Sequence, residues 1–287
     1  MSLRNLFFLL IPVFVFCQKA SQYQVKSVAF YNVENLFDIK NDTLVFDDER
    51  TPNGSYKWDK ARYDKKIEHI SKVLSEIGRE KTKSAPDIIG LCEVENRSVL
   101  IDLIEHPNLL PHDYGIIHFP SPDERGIDVA LLYKKHSFLP TSFVSHRLIL
   151  LDEFDKRNYT RDQLVVSGIL DDEPVYFLVN HWPSRRGGEQ KSRPNRIKAA
   201  QLNKRIIDSI QSLDANAKII SMGDFNDDPK NDSFKKVLKT KGNRSTLDSI
   251  DLFNPMEKLY KKGIGSLAYR DKWNLFDQFF ISANLTR

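Results

Sequence analysis

Short apolar runs bounded by turn formers recur along the chain, and each reads as a buried strand. They fall at residues 25–33, 115–119, 128–133, 143–151, 163–170, 175–180 and 217–222, with one more opening after Pro86-Asp87 and finishing at Glu93. Elsewhere the apolar spacing becomes helical. Ile67, Ile70, Val73, Leu74 and Ile77 predict an amphipathic helix over 60–79, its other face Lys, Glu and Arg. Ile197, Ala200, Ile207 and Ile210 predict a second over 193–210, and 232–238 a short third. Residues 38–58, charged and carrying Pro52-Asn53-Gly54, read as loop. Helices alternate with strands in both halves, and the strands are too many for one small sheet. The expected fold is a four-layered α/β sandwich, two packed mixed β-sheets flanked by helices.

The first residues break this pattern. Arg4 precedes an apolar stretch over 6–16, and Val15-Phe16-Cys17 offers a cleavage point before a polar segment. A membrane span needs roughly 20 apolar residues, so this stretch is too short to be one. Residues 1–17 are therefore expected to be a signal peptide and 18–287 a single domain, secreted or periplasmic. Cys17 also raises a lipid-anchored reading, which Phe16 disfavours because a lipobox wants a small residue there. The rest has one cysteine, Cys92, and so no intramolecular disulfide. The chain carries 43 Lys and Arg against 39 Asp and Glu; losing Arg4 leaves 42 against 39, a net charge of +3. That permits a nucleic-acid substrate without implying one. Nothing points to an obligate protein partner, and a monomer is expected.

Five runs end in polar residues: Phe30-Tyr31-Asn32, Leu91-Cys92-Glu93, Val179-Asn180-His181, Gly223-Asp224-Phe225-Asn226 and Phe276-Asp277-Gln278. Polar groups just past buried strands are held rigidly at a sheet rim. A carboxylate such as Glu93 beside buried residues needs a partner or a cation, and Mg²⁺ takes one or two carboxylates together with phosphate and water. Glycine at 223 permits close approach or a strained turn. Arg185 and Arg186 after His181 can grip phosphate, and Gly187-Gly188 lets their loop bend.

In order and wording these tails resemble the endonuclease/exonuclease/phosphatase superfamily, which has the pancreatic deoxyribonuclease fold, and specifically its exported bacterial members. The resemblance implies a cation, Mg²⁺ or Mn²⁺, held by Asn32 and Glu93 with Asp277. It implies that Asp224 positions or deprotonates the attacking water or protonates the leaving oxygen, that Asn226 donates to phosphoryl oxygens, and that His181 stabilises the phosphate or acts as acid. Asp128 stands where a family acid or amide orients the histidine, and Arg161 where related enzymes keep a phosphate-contacting arginine. Asn180, Arg185, Arg186 and Gln278 complete the expected substrate contacts, with Trp182 and the basic segment 258–262 as further candidates for tracking a nucleic-acid backbone. Much of the family ends its last strand in Asp-His, the histidine serving as general base; here the pair is Asp277-Gln278. Three accounts follow: metal and Asp224 activate water, the ester is less demanding than DNA, or phosphate binds without turnover. The reading preferred is a metal-dependent phosphodiesterase, a nuclease before a phosphatase, phospholipid or sugar-phosphate hydrolase, with a non-catalytic phosphate binder as the rival from another class.

Overall fold

A computed structural model describes residues 24–286; the expected signal peptide, residues 1–17, lies outside the described residues. Strands β1 (Val28–Leu36), β2 (Ile88–Val94), β3 (Tyr114–His118) and β4 (Asp128–Lys134) form one sheet in the order β1-β2-β4-β3. Strand β5 (Phe138–His146) leads through a small hairpin, β6 (Leu150–Leu151) and β7 (Arg157–Asn158), to the second sheet. That sheet adds β8 (Gln163–Leu170), β9 (Glu173–His181), β10 (Lys218–Asp224), β11 (Leu252–Phe253) and, beyond the separate hairpin β12 (Leu267–Tyr269) and β13 (Lys272–Asn274), strand β14 (Asp277–Ser282). Its order is β11-β14-β10-β9-β8-β5. Both sheets are mixed, since β1–β2 and β9–β10 pair in parallel and their neighbours antiparallel.

Period-two alternation sorts the core into three layers of side chains. In β2, Ile89 and Leu91 pack under the helices α1 (Lys60–Glu76) and α3 (Arg97–Glu105), the short α2 (Arg79–Thr82) lying between them in the chain. Ile88 and Cys92 point the other way, meeting Phe177, Val179 and Met222 between the sheets. On the far side Leu178, Ile219 and Phe280 pack under α4 (Glu189–Leu213). Helices, sheet, sheet and helix are the four layers expected. The last helix, α5 (Met256–Lys261), is short and peripheral.

Among the elements that differ from the sequence reading, the last run was expected to end in Asp277-Gln278, whereas β14 starts at Asp277 and runs on to Ser282. The strand expected at 143–151 starts at Phe138 and ends at His146, because β5 is an edge strand and tolerates Pro140 where a bulge shifts the register. Helix α4 begins at Glu189, four residues before the expected start, and carries Pro194 inside it. Helix α3 was missed, though Asn96 caps it, its Oδ1 accepting from the amides of Ser98 and Val99 at 2.8 and 3.2 Å.

Candidate active site

Strands β1, β2, β9 and β10 end, and the antiparallel β14 begins, at one rim of the space between the sheets, and strand parity decides which polar residues enter it. Asn32 shares its face with Val28 and Phe30, His181 with Phe177 and Val179, Asp224 with Ile220 and Met222, and Asp277 with Phe279, all flanking the inter-sheet core. Glu93 has the wrong parity, falling in step with Leu91. It enters through a β-bulge: the register slips between Cys92 and Val94, and Glu93 takes a φ of 64°. A second irregularity in β1, between Asn32 and Leu36, puts Glu34 and Asn35 at φ 54° and 64°. Backbone strain of this kind in non-glycine residues gathers where a side chain must be aimed.

The result is a cluster of amide, carboxylates and imidazole. Asn32 Nδ2 donates to Asp224 Oδ2 at 3.2 Å and to Glu93 Oε1 at 3.4 Å. His181 Nε2 lies 3.7 Å from Glu93 Oε1 and 3.9 Å from Asp224 Oδ2. Asp277 is the register partner of Asp224 across β10 and β14. Burial, then Asp277 beside it, pushes Asp224 up to about 7, against hydrogen bonds from the Asn226 amide and Asn32. Burial likewise pushes Asp277 up to about 6, with the charges of Glu93 and Glu34 adding and the Ser266 hydroxyl opposing. His181 is driven the other way, well below the usual imidazole value, by burial and then by Arg161 and Arg125. A neutral imidazole therefore faces the carboxylates.

A divalent cation fits this set. Glu93, His181 and Asp224 present possible ligand atoms within 4.8 Å of one another. One carboxylate oxygen of Asp277 is sealed from solvent with no hydrogen-bond partner. Crowded acids with raised pKa values and an orphaned buried oxygen are both relieved by a positive charge.

Several expected site residues sit elsewhere. Asn180 follows Leu178 toward α4; it is fully buried, its Nδ2 donating to Ser221 and Met222 and its Oδ1 accepting from Trp182 and Asn203. Gln278 follows Phe280 and is also sealed, donating to the Asp227 carbonyl at 2.6 Å and accepting from Asn254 at 3.0 Å. Neither amide is free for substrate. Asp128 does not orient His181: it lies on the helix-facing side of β4, holding His118 Nε2 at 2.9 Å and Ser121. Arg161 is buried, its Nη1 pairing with Asp123 at 2.9 Å and its Nη2 donating to the Trp182 carbonyl at 2.7 Å, which leaves Nε and one N–H on each Nη without a protein partner. Trp182 stacks on Phe234 in the core, meets Phe225 edge-on, and presents no face to a ligand. Arg185 is drawn back onto the Asn226 carbonyl, Asp228 and the Phe276 ring, whereas Arg186 is exposed. Asn226, at a φ of 50°, spends one N–H on the Trp182 carbonyl at 3.0 Å and keeps a second.

The sequence reading also missed the scaffold beneath the Gly-Asp-Phe-Asn turn. Asp227 is buried between Arg196 Nε at 2.6 Å and Ser233 at 2.7 Å, and Asp228 accepts from the Leu275 amide. Arg196 stands among the apolar positions of α4, and that mismatch was the available signal.

The fold and this convergence of strand ends are those of a phosphoester hydrolase. The model of the Endonuclease/Exonuclease/phosphatase family matches residues 27–287, and the chain belongs to that family of metal-dependent phosphoester hydrolases. Solved structures share the fold at low identity. A D. rerio TDP2 humanized by 14 mutations has TM-score 0.58 at 14% identity, covering 91% of this chain and 85% of that one. Mannosyl-6-phosphatase of Bacteroides thetaiotaomicron has TM-score 0.55 at 19% identity over 90% and 85%. D. rerio TDP2 complexed with single strand DNA product has TM-score 0.53 at 15% identity over 91% and 85%. Comparison with curated proteins finds no match.

Proposed function

We propose that this chain is an exported phosphodiesterase that uses Mg²⁺ or Mn²⁺ and cleaves nucleic acid, with residues 1–17 directing export. The observation carrying the reading is the joint arrival of Asn32, Glu93, His181, Asp224 and Asp277 at one rim, with Asp224 held near 7. Asn32, Glu93 and Asp277 would hold the cation, which supplies positive charge to phosphoryl oxygens. Asp224, buried beside His181 and Asn32 in the same cluster, is placed to take a proton from water and return it. His181, neutral, donates a hydrogen bond to developing negative charge, and the spare N–H of Asn226 does the same. Gln278, its side chain sealed on the face of β14 opposite Asp277, leaves proton transfer to Asp224.

The test is hydrolysis by purified protein of plasmid DNA, RNA, bis-p-nitrophenyl phosphate, phospholipid and mannose 6-phosphate, with and without chelator. Metal-dependent cleavage of nucleic acid is expected, and Glu93→Gln should weaken metal binding in a folded protein. Cleavage of the sugar monoester alone would replace the nuclease reading. Undiminished turnover in excess chelator would refute the cation.

A further inference from the structure

Helix α1 carries Arg62, Lys65, Lys66 and His69 at positions i, i+3, i+4 and i+7, which align along one strip of a helix. The buried strip of the same helix is Tyr63, Ile67, Ile70 and Leu74, so the basic strip has its own direction. It lines a cavity of about 360 Å³ whose other wall includes Tyr31, Asn32 and Trp58. Asn32 is the residue whose amide meets Glu93 and Asp224. The cavity thus adjoins the candidate active site through Asn32, which stands in the wall of one and in the cluster of the other.

Charge balance sets this strip apart from the start of the helix. Lys60, two residues before Arg62, pairs with Asp64. Among the described residues no carboxylate lies within ion-pair distance of Arg62, Lys65, Lys66 or His69. Lys66 is half-buried, donating to the Glu34 carbonyl at 2.6 Å, and Arg62 donates to the Tyr56 carbonyl. Glu34 is the one carboxylate lining the cavity. Three cations gathered in a concave surface against the single carboxylate of Glu34 leave a net positive charge, which an anion relieves. The half-buried rings of Tyr31 and Trp58 add flat apolar walls, Trp58 anchored by its Nε1 to the Phe37 carbonyl at 2.9 Å. Cations beside aromatic faces match a phosphate and an unstacked base.

We propose that this cavity is the subsite for the nucleotide next to the scissile phosphate of a single-stranded nucleic acid, its phosphate on Lys65 and Arg62 and its base against Tyr31 and Trp58. The inference rests on the phosphodiesterase reading and names its substrate as a strand with consecutive phosphates.

The experiment is fluorescence anisotropy of a labelled short oligothymidylate with the full chain in chelator, so that no turnover is needed. Lys65→Glu, and separately Arg62→Ala, should raise Kd about 10-fold or more, the scale of a lost charge-assisted contact. Arg62→Ala should also lower the slope of log Kd against log salt by about one. Lys218→Ala, at the far end of β10 from Asp224, is the surface control, and circular dichroism confirms folding. Variants binding as tightly as the parent, or a parent that does not bind, would overturn the subsite. Displacement by polyphosphate as effective as by unlabelled oligothymidylate would overturn the base-stacking wall. Parent hydrolysis of bis-p-nitrophenyl phosphate with Mg²⁺ or Mn²⁺ is read separately, so failure of the phosphodiesterase reading is distinguishable from failure of the subsite.

Discussion

Arg161 can be assigned by a single comparison of stability with kinetics. If it contacts phosphate, Arg161→Lys should raise KM and leave the fold intact. The structure instead places it in a buried ion pair, Arg161 Nη1 to Asp123 Oδ2 at 2.9 Å, with side chains 7% and 5% exposed. Asp123→Asn keeps the shape but leaves the guanidinium buried beside a neutral amide. Removing one partner of such a pair costs about 3–5 kcal/mol; Arg125, 3.6 Å from Asp123 and half in solvent, offsets little of this. The loss is transmitted to the site, because Arg161 Nη2 holds the carbonyl of Trp182, the residue after His181. We expect Asp123→Asn to lower unfolding free energy by about 3 kcal/mol and kcat more than KM. Replacing both partners with apolar residues, Asp123→Leu with Arg161→Met, should recover most of the stability. Urea unfolding followed by tryptophan fluorescence, with kcat and KM on bis-p-nitrophenyl phosphate, measures all of this. A stability loss below about 1 kcal/mol with a selective rise in KM would refute the structural assignment.

Gln278→Ala should lower stability by about 2–4 kcal/mol, because it orphans the buried Asn254 amide and the Asp227 carbonyl; denaturant titration checks it. Trp182→Ala should cost about 3–5 kcal/mol, as a fully buried tryptophan leaves a cavity, so lost nucleic-acid binding must be judged against melting. Arg186→Ala should leave thermal stability unchanged while Arg185→Ala lowers it, since only Arg185 is tied to Asp228 and Asn226. In chelator the raised pKa values of Asp224 and Asp277 favour the protonated fold. Their contribution is full below the unfolded value of about 3.9 and is lost as pH rises through about 6 and 7. Saturating Mg²⁺ should flatten that loss, and thermal melts across the range with and without chelator would show it.

Much of the architecture was legible without coordinates. Alternation and helical spacing are local consequences of burying one face, so the expected run at 163–170 matches β8 and the helix at 60–79 matches α1 to within its last turn. The polar strand ends were legible too, and strict period two already implies that Asn180 and His181, or Asp277 and Gln278, point to opposite faces of their sheet. Other facts were not readable from spacing. Glu93 reaches the rim only through a bulge, a mismatch between β2 and β4 that neither strand encodes alone. Asp128 serves His118, and Arg161 serves Asp123, because which charges meet depends on loops closing across the fold. The cationic strip of α1 looked like a solvated helix face until β1 was laid beside it. By itself the sequence determined which apolar runs and helix faces are buried and which runs carry polar residues at their ends, since both follow from nearest-neighbour periodicity. Tertiary structure alone decided which polar ends share one space, because that depends on sheet register and packing between segments far apart in the chain.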